Sequence, residues 1–394
     1  HQFRGNITYR QLQVYTPQLV SLNADNSLLS RVEYIINEWN GLIIGNTLYE
    51  VGSGQEQRRD FTYVEVQAGR GEYAWNDYNN DGIQQLNEFE IALFQDQAKY
   101  IRIFTPTNNF VKANYTQLNY SILLQPKAIS SKITSRCWSN FIGKFNFQSA
   151  LQISKKELSK GQPTLNPFDR KIADTALIQL SSIANNSISY NRFSSIWGID
   201  INSIRNFNKS LLTYGFESRT IEEWNIKSRW TIRKQFTIEL FQKFNNNTLE
   251  TPSFSNRNYS IYTTQIEPKL SYIIGTQFRI QTSYAHSIRK NKAIYGGEKS
   301  THQSLQLDTR YNAVQNTSIN AKLTMTNIAF NGTNNTTTSY IMLDGLLPGR
   351  NYLWNIEFTK RLINNLEINF SYEGRKAIET RTIHIGRASI RALL

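Results

Sequence analysis

Apolar and polar residues alternate with a period of two from about residue 113 to the end of the chain. In the segment 144–153, Phe145, Phe147, Leu151 and Ile153 alternate with polar residues. Successive side chains of a β-strand point to opposite faces of the sheet, so such a segment has one apolar and one polar face. These segments run for about ten residues or more, longer than the usual strand of a soluble protein.

Short and long connections alternate between these segments. Tight turns are predicted at residues 233–235, 275–276, 314–317 and 362–365, and long polar connections at 245–257, 286–302, 331–338 and 373–381. An up-and-down meander places alternate connections at opposite ends of the sheet. The tight turns therefore lie at one end and the long connections at the other.

This pattern is typical of an all-β fold, an antiparallel transmembrane β-barrel. A closed sheet pairs every backbone group inside the lipid, with apolar side chains facing outward and polar ones facing the lumen. At roughly 20 residues for each strand with its connection, residues 113–394 are expected to hold about 14 strands or more. The alternative is a soluble β-sandwich, whose strands also alternate.

The composition excludes several other classes of protein. One Cys and eight Pro in 394 residues exclude a disulfide scaffold, a zinc site of paired cysteines and a Pro-rich disordered chain. No apolar run approaches the roughly 18 residues of a membrane helix. The net charge of +14 is spread along the chain without a basic helix face. We therefore expect a basic lumen and solvated loops, and no nucleic-acid partner.

Residues 1–112 are predicted to form a β-rich region of their own. Strands are expected at 6–15, 32–39, 42–51 and 61–67. Asn40-Gly41 indicates a hairpin turn, and the polar stretch Gly52–Arg59 is expected to be a loop. The sequence leaves open whether this region adds strands to the barrel or forms a domain outside the membrane.

One segment of that region matches the twelve-residue calcium loop of an EF-hand, which begins here at Asp77. The predicted ligands are the side chains at positions 1, 3, 5, 9 and 12 and the backbone carbonyl at position 7, with Gly82 at the sharp turn: Asp77, Asn79, Asp81, Gln85, Glu88 and Ile83. Calcium prefers six to eight oxygen ligands, and this spacing wraps them around one point. We expect a structural Ca²⁺ site, although an Asn/Asp-rich turn without metal is the alternative.

The flanks of this loop predict a strand–loop–helix module. Glu72–Trp75 has the pattern of a strand, and Asn87–Lys99 that of a short helix with Phe89, Leu93 and Phe94 on one face. A single loop without a paired partner favours a structural role over a calcium sensor.

No catalytic residues are predicted. The four His residues lack metal-ligand spacing, and the chain has no Gly-rich phosphate loop and no nucleophile elbow. A Ser–His pair between His286 and His302 stays open as an alternative. We therefore expect a protein that is not an enzyme.

Several segments resemble a family of large, mostly uncharacterised outer-membrane proteins of Bacteroidota. The similarity lies in Asn46–Gln57, Gly71–Trp75, Glu88–Ala92, Tyr100–Thr107 and the closing His384–Arg391. The resemblance implies a cell-envelope protein with a lipid-embedded barrel and carries no activity. A distant likeness to the translocon barrel of the type 9 secretion system concerns architecture alone.

The two ends of the chain add further expectations. The chain begins at His1 without a signal-peptide pattern, so we expect a fragment of a longer polypeptide, and the resemblance implies that it is the C-terminal part. Its last segment alternates as a final barrel strand does, but ends on Leu394 where an aromatic residue is usual.

Together these patterns predict a barrel in the outer membrane of a Gram-negative cell. Its expected role is transport, export or surface display, with the lipid bilayer and other cell-envelope proteins as partners and with an unspecified small-molecule or polypeptide cargo. The alternatives are a surface adhesin or scaffold that transports nothing, and a soluble β-rich calcium-binding domain.

Overall fold

The computed structural model describes most of the chain. The described residues are 1–13, 15, 25–132, 136–159, 165–168, 177–212, 215–313, 316–362, 366–378 and 380–392. The predicted turns at 314–317 and 362–365 lie partly outside these ranges, and Leu394 lies wholly outside them.

Strands dominate the described residues. The first eight are β1 Gln2–Leu12, β2 Asp25–Glu38, β3 Ile43–Glu65, β4 Tyr73–Trp75, β5 Phe89–Ile91, β6 Tyr100–Leu124, β7 Phe145–Leu158 and β8 Leu177–Tyr190. The others are β9 Trp197–Leu212, β10 Gly215–Ile232, β11 Phe236–Glu250, β12 Tyr259–Ile274, β13 Phe278–Asn291, β14 Lys299–Ala313, β15 Thr317–Phe330, β16 Gly349–Leu362, β17 Leu366–Ala377 and β18 Ile383–Ala392.

Helical elements are short. Among the described residues, the α-helices are α1 Arg136–Ile142 and α2 Thr337–Met342, and 3-10 helices lie at Trp39–Gly41, Leu86–Glu88, Pro126–Lys132, Ser255–Arg257 and Ala293–Tyr295.

The predicted all-β class is confirmed. The structure is 70% strand and 8% helix, and the strand pairs described below are antiparallel. The strands are long, as the periodicity predicts: β7 has 14 residues, β10 has 18 and β6 has 25.

The chain divides into two compact units. Unit 1 comprises His1–Arg192, Ile201–Trp224 and Asn246–Ser260, and unit 2 comprises Phe193–Asp200, Asn225–Asn245 and Ile261–Leu394. The domain boundary predicted at residue 112 falls inside β6 and therefore inside unit 1.

In unit 1, antiparallel pairing runs through β1, β2, β3, β6, β7 and β8. The predicted hairpin at Asn40-Gly41 joins β2 to β3, with left-handed φ values of 58° and 87° at these two residues. The loop predicted at Gly52–Arg59 is wrong, because these residues lie inside β3.

The reason for this correction is pairing across the sheet. Residues 52–57 pair in register with β6, from Gly52 opposite Tyr115 to Gln57 opposite Phe110. A Cβ at position 52 would overlap the ring of Tyr115, so the glycine makes room for the aromatic side chain. Long pairing with β6 thus outweighs the weak local strand propensity of a polar, Gly-containing segment.

In unit 2, the sheet runs antiparallel from β12 to β18. Tight turns occur where the sequence predicts them: Arg233 and Lys234 have φ values of 52° and 60°, and Gly275 has 56°. Three of the four longer connections are shorter than predicted, because the strands extend into them, whereas the connection predicted at 331–338 runs on to residue 348 and contains α2. For example, β13 ends only at Asn291 and β14 begins at Lys299.

The sheet of unit 2 has one apolar and one polar face. Its apolar face carries large exposed side chains on each of the seven strands: Tyr262, Ile266, Leu270, Ile274, Tyr284, Leu305, Leu307, Tyr311, Ile319, Leu323, Met325, Tyr352, Ile356, Leu362, Leu366, Phe370 and Ile390. The register aligns them, with Leu307 opposite Leu323 and Leu323 opposite Trp354. The predicted alternation is therefore present strand by strand.

The polar face carries a row of paired polar residues across five strands. Its members lie opposite one another from β14 to β18: Arg310, Asn320, Glu357, Ser371 and Arg387. Carboxylates balance part of the positive charge of this face. Arg361 lies 3.2 Å from Glu367, and Arg387 lies 3.4 Å from Glu373.

Candidate functional sites

The calcium-type loop closes a β-hairpin, not a helix pair. β4 and β5 pair antiparallel with Trp75 opposite Phe89, and the loop spans the residues between them. The helix predicted at Asn87–Lys99 is therefore wrong. A single 3-10 turn at Leu86–Glu88 leads directly into β5.

Aromatic packing explains why β5 is a strand. Phe89 is buried and stacks on Tyr63 at 4.0 Å between ring centroids, and it meets Tyr100 edge-on at 5.1 Å. These partners lie on β3 and β6, so tertiary contacts outweigh the helical spacing of Phe89, Leu93 and Phe94.

Backbone hydrogen bonds fasten the hairpin to the long strands. Glu72 N donates to Tyr100 O at 2.8 Å, and Lys99 N donates to Tyr73 O at 3.1 Å. At Gly71, a Cβ would lie 2.5 Å from Tyr100 N, so the close approach of the two backbones requires a glycine. The loop is therefore mounted on a rigid base.

Three of the predicted ligands converge in this loop. Carboxylate oxygens of Asp77, Asp81 and Glu88 lie within 4.8 Å of one another. Two oxygens on opposite sides of one Ca²⁺ are at most about 5.2 Å apart, because each Ca–O distance is about 2.3–2.6 Å. The spacing of the three carboxylates therefore fits a single ion.

The loop backbone curls around these oxygens. Asp77 accepts hydrogen bonds from Asp81 N at 3.1 Å and from Gly82 N at 2.9 Å. Gly82 has a φ of +72°, in the left-handed region that favours glycine, and no atom lies within 4 Å of the position that a Cβ would take. The left-handed backbone conformation at position 82, and not a lack of space for a side chain, therefore explains the glycine predicted at the sharp turn.

Glu88 is the buried anchor of the cluster. Its Oε2 accepts hydrogen bonds from Trp75 Nε1 at 2.8 Å and from Gln85 N at 3.2 Å. The side chain is almost completely buried. Both contacts use the same oxygen, so Oε1 has no hydrogen-bond donor among the described residues.

The remaining predicted ligands lie beside the cluster. Asn79 Nδ2 and Gln85 Nε2 each donate to Asp81 Oδ2 at 2.8 Å, and Gln85 also caps the 3-10 turn. The side chain of Ile83 is exposed, so only its backbone carbonyl is available as a ligand. The ligand roles of Asn79, Gln85 and Ile83 stay predictions. The donor set contains oxygen ligands only, as Ca²⁺ prefers.

A buried ion pair that the sequence did not reveal lies two residues further on. Arg257 Nη2 donates to Glu90 Oε1 at 3.0 Å, and its Nη1 lies 3.6 Å from Glu217 Oε2. Burial raises the pKa of the Glu90 carboxyl above its usual value, and the Arg257 guanidinium offsets this only in part. The three residues come from distant parts of the chain, so no local motif signals the pair.

A second polar cluster lies on unit 2, where α2 covers part of the polar face. His302 Nε2 lies 2.9 Å from Met342 O and 3.2 Å from Ser300 Oγ. Arg289 holds Asp344 through two hydrogen bonds of 2.8 and 2.6 Å. Ser300 is completely buried. The Ser–His pair left open by the sequence is therefore Ser300 and His302 of β14, and their contacts with Met342 O fasten the α2 segment to the sheet.

Comparison with known proteins adds no relative. No protein-family model matches the chain, and no curated protein matches it in sequence. The resemblance to Bacteroidota outer-membrane proteins therefore stays a prediction. Among the described residues, no helix is both long enough and apolar enough to cross a membrane.

Proposed function

We propose that this chain is a membrane-embedded β-barrel segment of a Gram-negative outer membrane, which serves passage or display of material across that membrane. The observation that carries the proposal is the apolar face of unit 2. Seven consecutive strands expose large apolar side chains on one face. Contiguous exposed apolar surface of this extent is rare on soluble monomers and marks contact with a partner or a membrane.

The opposite face argues against a soluble sandwich. A sandwich buries its apolar face against a second sheet and leaves polar residues to water. In unit 2 the apolar face is exposed, and the opposite face carries charged and amide side chains such as Arg310, Asn320 and Glu357. Apolar outside and polar inside is the arrangement of an outer-membrane barrel.

The polar face supports a role in passage. Its ion pairs, Arg361–Glu367 and Arg387–Glu373, are exposed enough to meet water and solutes. The net charge of +14 favours anionic solutes or chain segments in a lumen lined this way. The α2 segment, fixed by Arg289 and His302, narrows the space in front of this face.

The calcium-type loop has a structural role in this proposal, which is to stabilise the β4–β5 hairpin. Asp77, Asp81 and Glu88 would hold one Ca²⁺, which would neutralise three converging carboxylates and fix the β4–β5 hairpin. A weak site suffices, because extracellular modules bind calcium with dissociation constants of about 10⁻⁴–10⁻³ M.

Membrane extraction and conductance test the proposal together. The chain, expressed with an outer-membrane signal, is expected to resist carbonate extraction, to require detergent for solubility and to conduct ions in a planar bilayer. A chain that stays folded and monomeric in buffer without detergent would contradict the membrane assignment.

A scaffold or adhesin is the second candidate. The insert between β3 and β6 favours it, because the buried Glu90–Arg257 pair and the aromatic cluster around Phe89 make this projection rigid. A membrane-embedded chain that never conducts, and that co-purifies with a stoichiometric envelope protein, would favour this candidate.

A further inference from the structure

A small cavity lies under the β4–β5 hairpin of unit 1. Its volume is about 170 Å³, equivalent to five or six molecules of liquid water. Aromatic rings of Tyr63, Tyr73 and Phe89 form one part of its wall. The rest is polar and includes Asn208 and Ser210.

Three guanidinium groups and two carboxylates also line this cavity: Arg102, Arg219, Arg257, Glu90 and Glu217. Arg257 is neutralised by its ion pair with Glu90. The three guanidinium groups outnumber the two carboxylates by one. The cavity therefore carries an excess of one positive charge.

The two other guanidinium groups have different surroundings. Arg219 Nε is a buried donor without an acceptor. The charge of Arg219 interacts with Tyr259, Glu217 and Glu90 through space, without a hydrogen bond to them. Arg102 instead lies over the rings of Phe61, Tyr73 and Phe104, at 5.6, 5.6 and 5.2 Å from their centroids.

Such an arrangement is costly without a ligand. A buried donor that lacks an acceptor costs about 1–3 kcal/mol, and more when the group is charged. Stacking on aromatic rings orients the Arg102 fork, and a planar guanidinium matches a carboxylate through two parallel hydrogen bonds. The cavity thus presents oriented cationic donors before any ligand enters.

We propose that this cavity is a binding site for a small organic acid, a molecule with one carboxylate and several hydroxyl groups, held through Arg219 and Arg102. One negative charge balances the excess positive charge, whereas a phosphate dianion would overcompensate it. Asn208, Ser210 and Glu217 provide partners for hydroxyl groups, and the aromatic wall receives the carbon skeleton. The volume limits the ligand to about the size of one monosaccharide acid.

Isothermal titration of the purified full chain with sodium glucuronate and sodium lactate tests the proposal. Saturable binding of at least one of them is expected, with no binding of glucose, which lacks the carboxylate. Binding of neither acid, or binding of inorganic phosphate in their place, would overturn the proposal.

Two substitutions in the cavity should change the affinity for the organic acid in opposite directions. Arg219→Gln is expected to weaken binding by about tenfold or more, because a charge-assisted hydrogen bond is lost. Glu217→Gln is expected to tighten it severalfold, because a carboxylate no longer repels the ligand. Arg70→Gln, an equal charge change at an exposed turn of the same insert, is the matched control and should leave the affinity within about twofold.

Folding of each variant is verified by its circular dichroism before titration. Should Arg219→Gln fail to fold, Arg219→Lys keeps the charge, loses the fork and is expected to weaken binding as well. Equal affinity in the parent chain, the Arg219 variant and the Glu217→Gln variant would contradict the assignment. This outcome is independent of membrane insertion, so it separates failure of this site from failure of the barrel proposal.

Discussion

Glu90 Oε1 and Arg257 Nη2 lie 3.0 Å apart, and both side chains are almost completely buried. Glu90 belongs to β5 in the insert between β3 and β6, whereas Arg257 lies on the 3-10 turn between β11 and β12. A contact between residues so distant in sequence joins two long connections of unit 1. Its removal should therefore loosen both of them.

Replacement of one partner should be strongly destabilising. Arg257→Met leaves the buried Glu90 without its hydrogen-bonded cation, and we expect a loss of about 3–5 kcal/mol in the free energy of unfolding. Glu90→Gln should cost less, because Arg257 keeps Glu217 at 3.6 Å. Chemical denaturation in detergent measures both values.

The half-exposed pair Lys156–Glu56, with a distance of 2.8 Å, is the matched control. Solvent screens this pair, so Lys156→Met should cost less than about 1 kcal/mol. Equal losses of unfolding free energy in Arg257→Met and Lys156→Met would show that burial of the Glu90–Arg257 pair has no energetic consequence.

Calcium should raise the melting temperature of the parent chain through the loop carboxylates. At a free Ca²⁺ concentration of 100 times the dissociation constant, the stabilisation is about 2.7 kcal/mol. Asp81→Asn removes one negative charge and keeps the size of the side chain. This variant should lose most of the calcium response and melt close to the parent in EGTA.

The exposed Glu72 lies in the same insert and outside the cluster, so Glu72→Ala serves as the control and should keep the full response. Glu88→Ala should also lower the melting temperature without calcium, because Trp75 Nε1 loses its acceptor. Identical melting of the parent chain in calcium and in EGTA would remove the metal site from the proposal.

Neighbouring residues on β15 test which face meets lipid. Leu323 belongs to the apolar face, and Thr324 points to the polar face. We expect Leu323→Arg to destabilise the membrane-inserted chain by about 2–4 kcal/mol, the cost of Arg at the centre of the lipid face. Thr324→Arg should be tolerated. Refolding into lipid vesicles at increasing urea measures the difference, and equal tolerance would refute a lipid contact at Leu323.

The α2 segment should restrict conductance if the polar face lines a pore. Ile328 pairs with Gly349, so an Asn-Gly turn replacing residues 329–348 can join β15 to β16 directly. The shortened chain should show a larger single-channel conductance than the parent. Replacement of residues 292–298, where Ile294 is highly exposed, is the control and should change it little. A shortened chain with unchanged conductance would place α2 outside the conducting path.

The strands of unit 2 were predictable from the sequence because apolar and polar residues alternate along each of them. Leu307, Leu323 and Trp354 belong to the apolar positions of three neighbouring strands, and the register places them opposite one another. Turns at Asn40-Gly41 and Gly275 were also predictable, since left-handed conformations favour few residue types.

Longer-range effects were not predictable in this way. Gly52 lies in a strand because its segment pairs with β6, and Phe89 lies in a strand because Tyr63 and Tyr100 pack against it. The three loop carboxylates were predicted from local spacing, whereas Glu90, Arg219 and Arg257 meet only through the fold. Local sequence patterns thus predicted the candidate metal centre but could not predict the cavity under the β4–β5 hairpin.

The length of β3 and β6 has a consequence for the height of the hairpin. A tilted strand crosses a bilayer in about 9–11 residues, whereas β3 has 23 residues and β6 has 25. If one part of this ribbon is anchored in lipid, more than half of it stands clear of the hydrocarbon as a stalk. The hairpin at its tip would then lie beyond the headgroup region, within reach of molecules in the surrounding water.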